Sequence, residues 1–437
     1  MRKTSLYLIL ISLPFLTFSN TPLFDSEPLV RVRIINTLDS LNMTAGPGWS
    51  LHTPSRSENH LLEGQRFQVV KLDSGLALVD SNNALIISSA HPLILETDHE
   101  SSSLGIAGVP YGVGWWWGGR EDRLYGGAIH IYLDSNMDLC VTVHLPLEEY
   151  LKGVVPYEIG GNSPIEALKA QAVAARSEAI IALTSKLYNG EHHDLTSDVE
   201  CQVFGGNHKR TPKADRAVDE TKSLILSENG LPINAYYASN CGGHAELIKN
   251  VWSQRPETLS YQTAHPDRVN RRPLKLHRSW RFRRWLKSSP QVNCNPEFES
   301  SLPSWSKKNF RWTREFTVEE ITGMLSQGDD FGEFKKFKVL ERGVSGRIYS
   351  ARLVFEKGSR EIQGELALRQ LFSPSLRSSA FIVKKRAGRF VIEGAGWGHG
   401  VGMCQSGAIA LASHGSGFKE ILTHYYGGSK LLSVYPS

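Results

Sequence analysis

Cysteine, long apolar runs and an excess of either charge are all scarce in this sequence of 437 residues. Five cysteines are too few to act as a disulfide scaffold for a chain of this size, so an apolar core must hold the fold together. The 49 Lys and Arg against 44 Asp and Glu exclude a highly charged disordered chain and do not demand a nucleic-acid partner. One apolar run alone exceeds ten residues, which excludes a multi-span membrane protein.

That apolar run lies at the start of the chain. Arg2 and Lys3 precede the apolar residues 6–18, and small residues follow with the spacing of a signal-peptidase site. We therefore expect a secretory signal over residues 1–19 and an exported protein in the periplasm or cell envelope. The alternative is an uncleaved N-terminal anchor, which is the only membrane contact that we expect.

The remaining chain has the pattern of a mixed α+β protein. Short β-like runs separated by turn residues follow one another up to about residue 145, so we predict a β-rich N-terminal region over 20–119. A short helix is predicted from Pro146 to Gly153. A longer helix is predicted to Leu183, with Ser163, Pro164 and Glu166 forming a capping box at its start. The small residues of this second helix predict a central, buried position.

Two cations lie on this predicted helix. Lys169 and Arg176 are seven residues apart, which gives them nearly the same angular position two turns apart. They are either solvated or salt-bridged side chains, or a cationic wall for an anionic substrate.

The histidines and cysteines offer a metal site only in part. His192 or His193 with Cys201 and Cys241 could hold zinc, but the sequence contains neither CxxC nor HExxH. In an exported protein a disulfide between Cys201 and Cys241 is favoured over a metal site, so no metal and no other cofactor is expected.

Two further segments have unusual composition. Residues 268–287 contain nine Lys or Arg, no Asp or Glu, and three interleaved aromatic residues. Export argues against nucleic acid as the partner of this segment, which suits an anionic glycan, an anionic lipid surface or a solvated basic helix. Glycines alternate around Trp397 and His399 in residues 394–408, but they do not match a phosphate-binding loop.

Five blocks of sequence, in order, resemble the SpoIID/LytB family, that is, stage II sporulation protein D and its relatives. They are LPLEEYLKGVVPYE (145–158), ALKAQAVAAR (167–176), DVECQVFGG (198–206), SNCGG (239–243) and GWGHGVGMCQ (396–405). The resemblance covers about residues 120–432 and implies a mixed catalytic region there, interrupted by an inserted subdomain at about 245–335.

The resemblance implies a protein of the bacterial cell wall. Family members are similar to lytic transglycosylases that cut peptidoglycan strands without stem peptides, or to enhancers of cell-wall amidases. The expected partners are therefore glycan strands and, in the alternative, an amidase. The catalytic acid of the family maps onto Glu158. Substrate binding is expected of six residues that lie in the matching blocks: Lys169, Arg176, Gln202, Gly243, His399 and Gln405.

The family also sets an expectation about metal. Some relatives hold zinc with a His and two Cys in the region that corresponds to residues 192–201. Of the two cysteines, only one has a counterpart here, namely Cys201, which again predicts no metal in this region. Cys404 stands at a position that is commonly Ser-like, and a peptidase built on Cys404 and His399 is not favoured because no orienting acid is identifiable.

Lytic cleavage of a glycan strand needs only one catalytic carboxyl group. One acid protonates the glycosidic oxygen, and the resulting carboxylate then takes the proton of the muramic C6 hydroxyl as the 1,6-anhydro ring closes. A second carboxylate is not required, in contrast to most glycosidases. Apolar neighbours such as Val154, Val155 and Tyr157 would keep Glu158 protonated closer to neutral pH. Lys169 and Arg176 would bind the lactyl carboxylate that removal of the peptide exposes.

Overall fold

A computed structural model describes residues 22–54, 59–99, 101–115, 117–252, 264–269, 272 and 274–436. The signal expected at residues 1–19 lies outside the described residues. Within the described part of the chain, no helix has the length and apolar character needed to cross a membrane. Helices and several sheets are both present, so the predicted mixed α+β class is confirmed.

Within the described residues, twelve strands come before the first helix. They are β1 (Leu29–Leu38), β2 (Ser40–Thr44), β3 (Trp49–His52), β4 (Asn59–His60), β5 (Arg66–Leu72), β6 (Gly75–Asp80), β7 (Leu85–Ser89), β8 (Leu93–Thr97), β9 (Leu104–Tyr111), β10 (Gly119–Tyr125), β11 (Ala128–Leu133) and β12 (Leu139–Pro146). With β13 (Leu195–Thr196), these strands form a seven-stranded sheet in the order β13-β1-β12-β11-β8-β3-β4 and a six-stranded sheet in the order β10-β9-β2-β5-β6-β7.

The seven-stranded sheet contains strands from both sides of the predicted domain boundary. β1 pairs antiparallel with β12 from Leu29 opposite Pro146 onward, and it pairs parallel with β13. Val30 and Val32 of β1 are fully buried together with Val141 and Val143 of β12. The boundary predicted between residues 119 and 120 therefore does not separate two units, because strands from both sides share one hydrophobic core.

The helices that carry the candidate site follow β12. They are α1 (Leu147–Val155), one turn of π-helix (Pro156–Gly160) and α2 (Ile165–Ser185). The central position predicted for α2 is confirmed, since Leu168, Ala172 and Ala175 are fully buried. The predicted capping box is wrong: the Ser163 hydroxyl donates to the Ile159 carbonyl at 2.7 Å, and Pro164 takes the N-cap position without a side-chain cap.

Shorter elements pack around α2. They are α3 (Pro212–Asp219), β14 (Leu224–Glu228), β15 (Leu231–Pro232), β16 (Tyr237–Ala238), β23 (Met403–Cys404), α9 (Gln405–Ser413), α10 (Phe418–Tyr425) and β24 (Lys430–Ser433). β16 pairs parallel with β23, which brings residues 237–238 beside residues 403–404. This pairing places the sequence blocks around Asn240 and Gly400 next to each other.

The remaining elements lie between these two blocks in the chain. They are α4 (Ile248–Val251), α5 (Ser279–Lys287), α6 (Ser304–Lys307), β17 (Arg311–Phe316), α7 (Val318–Ser326), β18 (Phe334–Arg342), β19 (Ile348–Phe355), β20 (Ser359–Gln363), α8 (Glu365–Gln370), β21 (Phe381–Arg386) and β22 (Arg389–Ala395). A capping box formed by Thr317 and Glu320 begins α7.

The inserted part extends further than predicted. β17 pairs with β22 over its whole length, from Arg311 opposite Ala395 to Phe316 opposite Phe390. A separate hydrophobic core, which includes Trp312 and Ile392, lies among these strands and helices. An end near residue 335 would leave β17 without its partner strand, so the insertion reaches to about residue 395.

Candidate active site

Glu158 lies on the single π-helical turn that follows α1. Pro156 at the start of this turn has no N–H, and its ring crowds the carbonyl four residues earlier, so a regular α-helix does not continue through it. Single π-turns are frequent at functional sites because they widen the helix locally and redirect a side chain. This turn presents Glu158 to the loop that contains Val203 and to Gln405, the first residue of α9.

Three polar groups surround the Glu158 carboxyl group. The Val203 backbone N–H donates to Oε1 at 2.9 Å, and the Gln405 side-chain amide approaches Oε2 at 3.5 Å. The Tyr237 hydroxyl, which donates its proton to Gln202, also interacts with this carboxyl group. The three groups come from three segments that are far apart in the sequence, so only the tertiary fold assembles them.

Burial dominates the acidity of Glu158. Burial raises the pKa of this carboxyl group above its ordinary value, while the hydrogen bonds from Val203, Gln405 and Tyr237 oppose that rise. No other carboxylate in the described part of the chain contributes to this pKa. The result is a single carboxyl group that holds its proton closer to neutral pH than an exposed glutamate does, as a general acid requires.

Two glutamines support this arrangement from inside the fold. The Gln405 amide also donates to Gln171 of α2 at 3.2 Å. Gln202 accepts a hydrogen bond from the Tyr237 hydroxyl at 2.7 Å and donates to the Ala175 carbonyl at 3.2 Å. Both predicted residues, Gln202 and Gln405, therefore belong to a hydrogen-bond network that connects α2 with Glu158.

The substrate-binding role predicted for these two glutamines needs correction. Gln202 and Gln405 are each only 3% exposed. Their amide groups are engaged with protein atoms, because an unpaired buried amide would be costly. They position Glu158 and Tyr237 and do not form an open binding surface.

His399 lies in a different environment from Glu158. Its ring is 5.0 Å from that of Trp252 and 6.1 Å from that of Tyr236, measured between centroids. Burial lowers the pKa of His399 to about 4, so the ring is neutral near pH 7. Nδ1 accepts from the Val401 N–H at 3.0 Å, which shapes the glycine-rich loop. His399 therefore packs in an aromatic cluster with Tyr236 and Trp252 and does not contact Glu158.

Gly243 has a packing role that the sequence does not indicate. Its φ of +98° lies in the left-handed region, and an added Cβ would lie 2.9 Å from Cζ2 of Trp285 and 3.2 Å from Val292. Only glycine fits both the backbone conformation and the space there. The predicted role in substrate binding is wrong, since Gly243 is buried beneath the inserted segment.

Arg176 is a buried structural residue. Its side chain is 0% exposed, and its guanidinium forms a two-pronged ion pair with Glu148 at 2.6 and 2.8 Å. The same group donates to the backbone carbonyls of Leu224 and Val218. The predicted contact between Arg176 and substrate is therefore wrong, because no part of this guanidinium is accessible.

Lys169 is also occupied by acidic neighbours. Its ammonium lies 2.8 Å from Glu166 and 2.7 Å from Glu220, and its side chain is 16% exposed. The two carboxylates raise the pKa of Lys169 through their hydrogen bonds. On α2, the residue connected to Glu158 by way of Gln405 is Gln171. Gln171 lies two positions after Lys169, so the two side chains point to different sides of the helix. The structure therefore does not bring Lys169 to Glu158.

The disulfide predicted between Cys201 and Cys241 is wrong. All five cysteines are free thiols in the structure. Cys201 Sγ lies 3.5 Å from the Tyr188 hydroxyl, whereas Cys241 Sγ lies 3.6 Å from Cys294 Sγ. The two residues belong to different parts of the fold, which spacing in the sequence does not reveal. Among the described residues, the group of potential metal ligands that the structure brings together is Cys241, Asp267, Cys294 and Cys404, and it includes no residue of 192–201.

Sequence reasoning missed a second group of polar residues beside Glu158. Tyr157 donates from its hydroxyl to Glu121 at 3.0 Å, and Arg123 pairs with the same carboxylate at 2.8 Å. The exposed Lys209 places its ammonium 4.2 Å from the centre of the Tyr157 ring. The position of Tyr157 directly before Glu158 is a sequence signal for this group. The residues that contact Tyr157 could not be found in the same way, because they come from β10 and from the loop after Gly206.

The basic segment at 268–287 forms an amphipathic helix in its last part. Phe282 and Leu286 of α5 are buried, while Arg283, Arg284 and Lys287 are exposed. Residues 270, 271 and 273 of this segment lie outside the described residues. Binding of an anionic polymer by this surface stays a prediction.

Two family models match the chain. Residues 135–227 match the model described as stage II sporulation protein, and this stretch contains Glu158, Tyr157, Gln202 and Lys209. Residues 246–402 match a model described as a domain of unknown function. The second match covers the inserted part and continues into the glycine-rich loop.

Curated relatives extend the similarity over most of the chain. An uncharacterized protein of Brachyspira hyodysenteriae is 29% identical over 305 residues, covering 70% of this chain and 71% of that protein. The amidase enhancer of Bacillus subtilis (strain 168) is 28% identical over 299 residues, covering 65% of this chain but 40% of that protein. Stage II sporulation protein D of the same strain is 25% identical over 317 residues, covering 70% of this chain and 78% of that protein.

Proposed function

Because this chain belongs to the SpoIID/LytB family and so has a role related to the cell wall, we propose that it is a peptidoglycan lytic transglycosylase. Its substrate is a glycan strand without stem peptides, cut between N-acetylmuramic acid and N-acetylglucosamine. Glu158 acts first as the acid and then as the base. The reaction serves remodelling of the wall at division or at a septum.

The environment of Glu158 is the observation that carries this proposal. The carboxyl group has a raised pKa because of burial, and fixed donors from Val203 and Gln405 hold its orientation. A group that must give up a proton and take one back needs a pKa near the working pH and a fixed position. The raised pKa and the fixed orientation of Glu158 favour both requirements.

The reaction balances with this one group. Protonated Glu158 gives its proton to the glycosidic oxygen while the bond from that oxygen to muramic C1 breaks. The C6 hydroxyl oxygen of the same sugar then bonds to C1, and its proton passes to the Glu158 carboxylate. The products are a 1,6-anhydro end and a new N-acetylglucosamine end, water is not consumed, and Glu158 returns to its starting state.

The substrate is anionic, which requires a cation other than Lys169 and Arg176. Loss of the stem peptide exposes a lactyl carboxylate on each muramic residue. Lys209 is exposed beside Tyr157, the neighbour of Glu158 in the chain. We therefore assign the contact with the lactyl carboxylate to Lys209, because its side chain is exposed to solvent whereas that of Arg176 is buried.

This function places the protein outside the cytoplasm, where the wall lies. The signal expected at residues 1–19 serves that location. Fractionation of cells that produce the full chain tests it: recovery in the envelope or periplasm agrees with the proposal, and recovery in the cytoplasm contradicts it.

The decisive experiment compares the mature protein with its Glu158→Gln variant on peptide-free and on intact strands. Mass spectrometry of the products detects anhydro-muramic ends. We expect such ends from the unaltered protein on peptide-free strands and none from the variant, which keeps the shape and burial of the side chain. Reducing ends would instead identify a hydrolase, and an active Glu158→Gln variant would contradict the role of Glu158.

A second candidate function is the enhancement of a cell-wall amidase. The similarity to the amidase enhancer of Bacillus subtilis favours it, although the match covers only 40% of that protein. The two functions differ in their dependence on Glu158. An enhancer would stimulate a purified amidase equally well with Glu158→Gln, and it would bind strands without cleaving them.

A further inference from the structure

Three cysteines and one aspartate converge outside the Glu158 site. The three Sγ atoms of Cys241, Cys294 and Cys404 and a carboxylate oxygen of Asp267 all lie within 4.8 Å of one another. All four residues are buried. The catalysis proposed for Glu158 does not use these four residues.

The spacing fits tetrahedral coordination. Cys241 Sγ lies 3.6 Å from Cys294 Sγ and 3.8 Å from Asp267 Oδ2. A zinc–sulfur distance of about 2.3 Å puts two tetrahedral thiolate ligands about 3.8 Å apart. The two separations from Cys241 are close to those that a bound ion would impose, and the remaining ones are at most 4.8 Å.

Asp267 offers the cluster a carboxylate oxygen. It is 1% exposed, and its Oδ1 receives hydrogen bonds from the Tyr425 hydroxyl at 2.9 Å and from the Asn293 amide at 3.2 Å. His424 Nε2 lies 3.3 Å from the same oxygen. These partners hold the carboxyl group in place, and its other oxygen, Oδ2, lies 3.8 Å from Cys241 Sγ.

The sulfur atoms also have the outer partners that metal thiolates usually have. The Cys241 N–H lies 3.2 Å from Cys404 Sγ, and the Gly243 N–H lies 3.3 Å from Cys241 Sγ. Cys404 is the N-cap residue of α9, where the helix dipole favours negative charge. Such hydrogen bonds orient ligands and stabilise their deprotonated form.

We propose that Cys241, Cys294, Cys404 and Asp267 form a structural zinc site in this protein. Three thiolates and one carboxylate fill four positions around the ion, which is typical of a closed structural site and leaves none for substrate. Soft thiolate ligands select zinc over magnesium or calcium. Binding displaces the thiol protons and involves no change in oxidation state.

The site would clamp three distant segments together. Cys241 follows β16, Asp267 and Cys294 belong to the inserted part, and Cys404 ends β23. Gln405, the next residue after Cys404, donates to Glu158. The zinc ion would therefore fix the insertion against the active-site loop, although its presence is independent of the reaction that Glu158 performs.

A disulfide between Cys241 and Cys294 is the competing use of these residues. It would leave Cys404 and Asp267 close together in a buried space, each without a partner from the disulfide. A cation satisfies all four groups at once, whereas a disulfide satisfies two.

The first experiment measures metal and thiols in the full chain. After purification without chelator, elemental analysis gives zinc per chain, and a chromogenic reagent counts reactive thiols in denaturant with a chelator. We expect one zinc and all five cysteines as thiols. Three reactive thiols, an intact mass lower by two hydrogen atoms and no zinc would establish the disulfide and overturn the proposal. Five thiols without zinc, even after incubation with zinc and dialysis, would also overturn it.

Variants locate the site. Cys294→Ser and Cys404→Ser should lose the zinc, whereas Cys140→Ser, a buried cysteine outside the cluster, should retain it. If a ligand variant fails to fold, Tyr425→Phe gives a milder test, because it removes only one hydrogen bond to Asp267. We expect it to lower zinc affinity by roughly 10- to 100-fold in competition with a chelating dye. Zinc that is retained in the ligand variants, or unchanged affinity in Tyr425→Phe, contradicts the assignment.

Cobalt provides a readout that does not depend on enzyme activity. Co²⁺ in place of zinc should give the intense visible bands of a tetrahedral site and the near-ultraviolet bands of thiolate ligands. The weak spectrum of a six-coordinate ion with oxygen ligands would contradict the proposed ligand set. Because these measurements do not involve glycan, failure of the zinc site and failure of the transglycosylase proposal are separable.

Discussion

The side-chain amide of Gln405 lies 3.5 Å from Oε2 of Glu158 and 3.2 Å from Oε1 of Gln171. It thus connects the candidate catalytic acid to the central helix α2. Gln405 begins α9, directly after the Cys404 thiol. The position of the acid consequently depends on the glycine-rich loop nearly 250 residues away in the chain.

Tyr237→Phe should shift the pH dependence of cleavage. The Tyr237 hydroxyl lowers the pKa of Glu158 by stabilising its ionised form, so its removal raises this pKa further. The acid then stays protonated to higher pH, and the alkaline fall of kcat should move upward. Rates measured on peptide-free strands over pH 4 to 9 check this prediction.

Tyr150→Phe is the matched control for that measurement. The Tyr150 hydroxyl interacts with Gln202 at 3.3 Å and makes no hydrogen bond with Glu158. Its pH profile should stay near that of the unaltered protein. A downward shift in Tyr237→Phe, or equal shifts in both variants, would contradict the assigned role of the Tyr237 hydroxyl.

Arg176→Ala should destabilise the fold strongly. It leaves the Glu148 carboxylate buried without its partner, which typically costs about 3–5 kcal/mol in the free energy of unfolding. Lys169→Ala should cost about 1 kcal/mol or less, because Lys169 and its partners are partly exposed. Chemical denaturation measures both values. Equal small losses in stability, with a raised KM in Arg176→Ala, would restore Arg176 to the substrate site.

Lys209→Ala should weaken binding of peptide-free strands. The variant loses the exposed cation beside Tyr157, so KM should rise several-fold while kcat changes little. Lys336→Ala, which removes an exposed lysine of β18, serves as the control. The effect of Lys209→Ala should shrink as salt is added, because salt screens exposed charges. An unchanged KM at low salt would refute the contact.

Gly205→Ala should reduce activity through Tyr157. A Cβ at this position would lie 1.9 Å from Cε2 of the Tyr157 ring, so the ring must move. Displacement of Tyr157 disturbs the turn that carries Glu158 and the hydrogen bond to Glu121. We expect kcat to fall by about tenfold or more, since misplacement by about 1 Å can cost a hundredfold.

The control for this variant is Gly323→Ala. Gly323 lies on α7 with nothing within 4 Å of an added Cβ, and alanine there should be neutral or slightly stabilising. Full activity of Gly205→Ala would show that the Tyr157 ring does not set the position of Glu158.

Local patterns in the sequence predicted much of the fold and part of the site. Alternating apolar residues predicted the early strands, and the small-residue stripe predicted that α2 is buried. The same patterns failed at Ser163, because its hydroxyl found the Ile159 carbonyl instead of the helix start. A sequence pattern predicts a hydrogen bond reliably when no other acceptor or donor competes for the side chain. Where the folded chain offers another partner, the side chain can bond to that partner instead.

The sequence by itself determined the mixed fold class, the family resemblance and the choice of Glu158, because these follow from residue order. Only the tertiary structure decided which side chains face one another. It placed Arg176 against Glu148, Gln405 against Glu158, and Cys241 beside Cys294, each pair separated by 28 or more residues. Spacing along the chain carries angular information within one helix or strand, but the meeting of distant segments depends on the packing of the whole core.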